Sequence, residues 1–195
     1  MSVSTSTSKQ LSLGDRFSGL TVVLITIIAL LAGWFFKSSV ENRSVAFEST
    51  GFSAQTPQGW LKVDPEGDEI LHVTDLTSSG FGTTYIVKNI LIDKNSTFGQ
   101  AASLLSLERG QNLTAYRVLD QKQVTISGKQ AYEISYVFVE SNPNLTHNVY
   151  PNIVRGLDTI FLNGDHAVVV TFWVDKQSYE DDLGRFQLFL KSLKF

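Results

Sequence analysis

The sequence predicts an α+β domain, a mainly antiparallel sheet with one helix inserted and one at its end, behind a single membrane-spanning helix. Three observations carry that prediction. An uninterrupted run of 17 uncharged residues, Leu20–Phe36, lies near the N-terminus. Short stretches of strand-like alternation fill most of the chain beyond Val45, separated by Gly, Asn and Pro turn signals. Two segments, after Thr97 and after Asp175, change to helical spacing of their apolar residues.

The apolar run reads LTVVLITIIALLAGWFF. As a helix it rises about 26 Å, close to the roughly 30 Å of a hydrocarbon layer. Phe17 and Gly19 extend it outward, and Trp34 sits where an indole prefers the headgroup level. A cleaved signal peptide has a shorter apolar core ending in small residues, whereas this run ends Gly-Trp-Phe-Phe-Lys. A helix apolar on every face is also seldom the core helix of so small a domain. The expectation is an uncleaved span over 17–37, with a Ser/Thr-rich disordered tail over 1–16 and a short polar stalk over 38–44. Lys9 and Arg16 before the span nearly balance Lys37 and Arg43 after it, so flanking charge leaves the orientation open. A short tail followed by a whole domain favours the domain on the extracytoplasmic side. Four Asn-x-Ser/Thr triplets follow, at Asn42, Asn95, Asn112 and Asn144; they matter only in a glycosylating host.

The domain is expected over 45–195. Phe52–Pro57 reads as an edge strand that Pro57 ends, followed by a Gln58-Gly59 turn and the strand Trp60–Val63. Asp64-Pro-Glu-Gly-Asp-Glu69 is a solvated acidic turn, since its spacing does not place oxygens as a calcium loop does. Ile70–Thr74 and Thr83–Ile92 are strands. Thr97 and Gln100 form a capping-box pattern. Phe98, Ala101, Leu105 and Glu108 then recur at helical spacing, with Ala102 and Leu104 widening the face and Gly110 as the stop. Tyr116–Ile126 is a strand, broken by Ser127-Gly128-Lys129. In the next strand Tyr132, Ile134, Tyr136 and Phe138 share one face, opposite Glu133 and Ser135. Asn163-Gly164 joins Leu157–Leu162 to Ala167–Val174 as a hairpin. The run AVVVTFWV is too apolar for an edge strand and belongs in the centre of the sheet. The last helix, Lys176–Leu190, is capped by Asp175 or Ser178 and carries acids early and lysines late, with Tyr179, Leu183, Phe186 and Leu190 as its inner stripe. Six or so strands result.

Several phrases in this order resemble the Mog1/PsbP-like superfamily. They are Phe52-x-x-x-x-Pro57-x-Gly59-Trp60, Gly128-Lys-Gln-Ala-Tyr132-Glu-Ile-Ser-Tyr136 and Phe186-x-x-Phe-Leu-Lys-Ser192-Leu-Lys-Phe195. The resemblance implies an α/β/α sandwich around the sheet. It also implies an accessory or scaffold protein docked to a larger complex, often on the extracytoplasmic or lumenal side of a membrane. An uncleaved spanning helix departs from PsbP proper.

Function classes can be excluded or set aside by composition. The chain has no cysteine, which removes disulfides, thiolate catalysis and Cys-based metal sites. From Val45 onward 12 Lys and Arg oppose 17 Asp and Glu, a formal charge of −5 with no basic cluster. That argues against nucleic acid as a partner. His72, His147 and His166 are isolated and show no metal-ligand spacing. Ser78-Ser79-Gly80-Phe81-Gly82 lacks the lysine and following helix of a phosphate-binding loop, and no serine sits in Gly-x-Ser-x-Gly. The sequence therefore assigns no catalytic, cofactor-binding or metal-binding residue, and the chain is read as not an enzyme. The leading expectation is a non-enzymatic accessory subunit held in a cell membrane or a photosynthetic or other energy-transducing membrane. Residues 17–37 would contact the lipid bilayer, Ala29 and Gly33 would allow close helix packing, and the domain would dock on a larger integral membrane protein complex. The polar segment 141–152 is the expected docking loop. The alternative is a membrane-tethered module binding a small apolar ligand or peptide in a pocket lined by Tyr132, Tyr136, Phe138, Phe172 and Trp173.

Overall fold

A computed structural model describes residues 13–41, 43–49, 51–78, 81–140 and 151–195. The tail before Leu13, the Asn42 and Asn144 triplets, His147 and the docking loop up to Tyr150 lie outside the described residues. The chain divides into two units, Met1–Arg43 and Ser44–Phe195.

Among the described residues the first unit is one helix, α1 (Leu13–Glu41), in which Gly19–Lys37 is long and apolar enough to cross a membrane. Within it the Thr26 hydroxyl donates to the Val22 carbonyl one turn back at 2.9 Å. The helix continues through most of the stretch expected to be a polar stalk, because no glycine or proline follows Lys37 before Gly51.

Among the described residues the second unit holds nine strands and two helices. These are β1 (Ser44–Ser49), β2 (Phe52–Pro57), β3 (Leu61–Val63), β4 (Glu69–Asp75), β5 (Thr83–Leu91), α2 (Phe98–Asn112), β6 (Arg117–Ile126), β7 (Lys129–Glu140), β8 (Asn152–Asn163), β9 (His166–Asp175) and α3 (Tyr179–Ser192). Seven strands form one sheet in the order β3-β4-β5-β9-β8-β7-β6, with every neighbouring pair antiparallel. β1 and β2 form a separate hairpin. Phe52–Pro57 is therefore not an edge of the main sheet. It pairs with a strand, SVAFES, to which the sequence reading assigns no element at the start of the domain.

The central place of AVVVTFWV follows from its two apolar faces. Val168, Val170, Phe172 and Val174 of β9 join one core, with Phe186, Phe189 and Leu190 of α3 and with Phe52 of β2. Ala167 and Val169 join the other, with Ala101, Ala102 and Leu105 of α2. The domain is thus an α/β/α sandwich, with α2 on one face and α3 beside the β1–β2 hairpin on the other. The hairpin is tied to the C-terminal segment by two backbone bonds between Ser53 and Lys194, 2.9 and 3.0 Å.

Turn chemistry sets the registers. Ser127 and Gly128 both have positive φ, 50° and 80°, as a two-residue turn between β6 and β7 requires. Between β8 and β9 the two turn residues are Gly164 and Asp165, since Asn163 still pairs with His166; only Gly164, at φ 65°, needs the left-handed region. Gly110 does not stop α2. The helix runs on to Asn112, and the Leu113 N–H closes on the Arg109 carbonyl at 2.8 Å.

Two phenols in the cores have a readable consequence at high pH. Burial pushes the Tyr85 and Tyr136 hydroxyls well above the ordinary tyrosine value, with Asp158 adding to the effect on Tyr136. Their contribution to stability is complete below the unfolded pKa of about 10. It is lost as pH climbs from there through the raised folded values, because only the unfolded chain ionises. Alkaline titration followed by phenolate absorbance should show these two of the six tyrosines ionising only together with loss of the folded circular dichroism signal.

Candidate functional site

α2 is the element that brings unusual residues to the surface and to the core at once. Its start is fixed locally: the Gln100 N–H donates to Thr97 Oγ1 at 3.3 Å, and the Thr97 N–H donates to Gln100 Oε1 at 2.8 Å. Its inner face is narrow at Ala101 and Ala102, which lets the helix lie close on β7 and β8.

One turn beyond Leu105 that inner face ends in a buried guanidinium. Arg109 Nε donates to Asp158 Oδ2 at 3.1 Å, and Nη2 donates to Asp158 Oδ1 at 3.2 Å and to Thr171 Oγ1 at 2.8 Å. The fork geometry suits a planar carboxylate. Burial works against the charge on Arg109, but Asp158, Tyr136 and Glu108 together outweigh it, so the guanidinium is held more firmly protonated than in water. Beside the pair, Trp173 Nε1 donates to the Tyr136 hydroxyl at 2.7 Å, and the guanidinium carbon lies 5.2 Å from the Trp173 ring centroid. The cluster fastens α2 to β8 and β9. Arg109, Asp158 and Thr171 are all buried, which suits a positional role.

The outer face of α2 is different. Gly99, Gln100, Ser103, Leu104, Leu107 and Gln111 are exposed and uncharged. Leu104 and Leu107 remain 64% and 60% exposed. Glu108, the one exposed charge on the helix, is paired with Lys88 at 3.6 Å. An exposed charge-free helical face with two large aliphatic side chains stands out in a domain whose formal charge is −5.

The second feature is a cleft of about 270 Å³ between α3 and the outer strands β6–β8. Its floor includes Ser135 and Leu157, and its α3 wall includes Tyr179, Leu183 and Leu190. The strand aromatics do not line it. Tyr136, Phe138 and Phe172 are packed inside the cores, and Tyr132 and Trp173 are partly buried against them.

The two described histidines have separate acidic neighbours. His72 on β4 faces Glu69 at 3.2 Å, and His166 on β9 lies 3.6 Å from Asp165. Among the described residues no group of His, Asp and Glu is placed to hold a metal ion. Asn95 and Asn112 flank α2 at its two ends.

Sequence reasoning placed Glu108 on the inner face and missed Arg109. The signal was available, because 101, 105 and 109 repeat at four-residue spacing. Asp158 and Thr171 are likewise the polar interruptions of two apolar strand runs.

A search of protein-family models found no match, and neither did one of curated protein sequences. Solved structures do match. Cyanobacterial PsbP (CyanoP) from Synechocystis sp. PCC 6803 superposes with a TM-score of 0.57 at 15% identity, covering 77% of this chain and 92% of that one. The domain has a Mog1/PsbP-like fold. A Pseudomonas aeruginosa protein of unknown function, PA94, matches this PsbP-like domain with a TM-score of 0.52 at 7% identity, covering 77% and 95% of the two chains. LpqN, involved in cell envelope biogenesis of Mycobacterium tuberculosis, matches with a TM-score of 0.50 at 9% identity, covering 77% and 89%. At these identities the likeness is one of fold.

Proposed function

We propose that this protein is a non-enzymatic accessory subunit, anchored by residues 17–37 with its PsbP-like domain on the extracytoplasmic side, docked on a larger integral membrane protein complex. The observation that carries this reading is the charge-free outer face of α2, with Leu104 and Leu107 exposed on a helix whose inner face is fastened to the sheet. A lone exposed leucine is ordinary. Two on one uncharged face, with the neighbouring acid already paired to Lys88, favour a protein surface that excludes water there. The fixed seat of the helix favours the same reading, since a preformed surface loses little freedom on binding. The likeness to a PsbP and to a cell-envelope protein is compatible with a partner at a membrane.

The reading is tested by placing a photo-crosslinking residue at Leu107 in the full chain and irradiating native membranes. A control position is Leu76, somewhat more exposed but in the turn after β4. Leu107 should yield one discrete adduct with an integral membrane protein, and Leu76 should not. Equal crosslinking from both positions, or none from either, would contradict a contact through α2.

A further inference from the structure

The outer face of α2 carries a second pattern. Gln100, Leu104, Leu107 and Gln111 follow one another at intervals of four, three and four residues. That spacing lays all four along one stripe of the helix, on the side away from Ala101, Ala102 and Leu105. All four are exposed. Ser103 and Gly110, seven residues apart and also exposed, run beside the stripe. Their small side chains keep that flank low, so that a second helix can come close.

The stripe reads the same from either end. Gln100 and Gln111 are equally far from the midpoint between Leu105 and Ser106, and so are Leu104 and Leu107. A second α2 turned end for end sets Leu104 against Leu107 of the second copy and Gln100 against Gln111 of the second copy. Each contact then occurs twice, as a closed twofold interface requires. The polar ends match as well. Gln100 Oε1 accepts from the Thr97 N–H at 2.8 Å, and its amide N–H groups are the ones it offers to Gln111 Oε1 of the second copy. Two copies of a domain with a formal charge of −5 repel over most of their surface. Along this stripe no charge faces another, because Arg109 is buried and Glu108 lies to the side with Lys88 at 3.6 Å.

We infer that, where the docking partner is absent, a second copy of this chain covers the outer face of α2 through an antiparallel α2–α2 contact. The inference rests on the same bare face as the docking reading, and the two occupants exclude each other. The contact is weak, since α2 has 15 residues, fewer than the roughly 20–30 a side of a standard interface. A weak contact suits a face that must be handed over. It keeps Leu104 and Leu107 out of water until the partner takes them.

The chain has no cysteine, so engineered thiols report the geometry directly. Two tagged full-length chains, one with Gln100→Cys and the other with Gln111→Cys, are reconstituted together into phosphatidylcholine vesicles free of other protein and then oxidised. The twofold contact puts these two thiols face to face, whereas two copies of one variant keep theirs about 17 Å apart along the helix axis. The mixed disulfide should therefore form severalfold faster than either same-site disulfide. Leu104→Asp/Leu107→Asp in both chains should lower it to the same-site rate with an unchanged melting curve. Equal mixed and same-site rates, faster same-site disulfides as a parallel contact would give, or a mixed rate that survives the double substitution would each overturn the inference. The vesicles hold no docking partner, so this result and the Leu107 crosslink in native membranes can fail independently.

Discussion

Replacing Asp158 by alanine should cost the domain about 3–5 kcal/mol, read from urea unfolding of the full chain. The reason is not the loss of a favourable ion pair as such. Arg109 would remain in the core as a charge without a counter-charge, and Thr171 Oγ1 would be the one hydroxyl left to it. Arg109→Ala should be comparably damaging from the other side. A domain of this size has roughly 5–15 kcal/mol to lose, so either single change brings it near the edge of folding. Removing the whole polar set is a different matter. Arg109→Met with Asp158→Leu and Thr171→Val should be close to neutral or somewhat stabilising, since burying well-packed apolar groups avoids the desolvation of two charges. That triple variant also separates roles. If Arg109 only seats α2, the triple variant keeps its membrane partner.

The second large effect is expected at Gly156. This residue stands opposite Tyr136 on β7 and Trp173 on β9. Its φ is not positive, so the requirement is space and not backbone freedom. A Cβ built on Gly156 would meet Cε2 and Cζ of Tyr136, and even Cδ2 would be 2.8 Å away. The ring has no room to yield. It is fully buried, with Tyr116 and Phe138 rings beside it and its hydroxyl accepting from Trp173. Overpacking of about 1–3 kcal/mol adds to roughly 1 kcal/mol for the Trp173 bond, giving about 2–4 kcal/mol for Gly156→Ala. In a Tyr136→Ala background the same change should cost far less, and the non-additivity is the diagnostic. Additive losses would show that the close approach of ring and glycine is not what the site requires.

These two sites also mark where sequence reading succeeds and fails. The central strand was legible because AVVVTFWV has no polar face to expose, and the α2 start was legible because a capping box is a local device. The pairing of Tyr132, Ile134, Tyr136 and Phe138 on one face followed from a period of two. What could not be read was long-range. Arg109, Asp158 and Thr171 are 49 and 62 residues apart in their pairings, and each alone looks like an ordinary polar residue. Gly156 looks like any glycine until Tyr136 is laid over it. β1 escaped because SVAFES follows an apolar helix and has neither a long apolar run nor a clear turn before it. The outer face of α2 was misjudged for a related reason. Leu104 was counted with the core face, since a leucine does not announce that it stays exposed.

The fold and the paired charges explain how a small domain keeps one helix rigid while leaving that helix's outer side bare. The central claim is that this bare side meets a membrane-embedded partner. It is tested most directly by gentle-detergent purification of the tagged full chain beside Leu104→Asp/Leu107→Asp, with unfolding curves for both. The account predicts that the wild-type chain carries a stoichiometric integral membrane protein and that the double variant, equally stable, does not. Recovery of the wild-type chain alone, or retention of the partner by the variant, would contradict it.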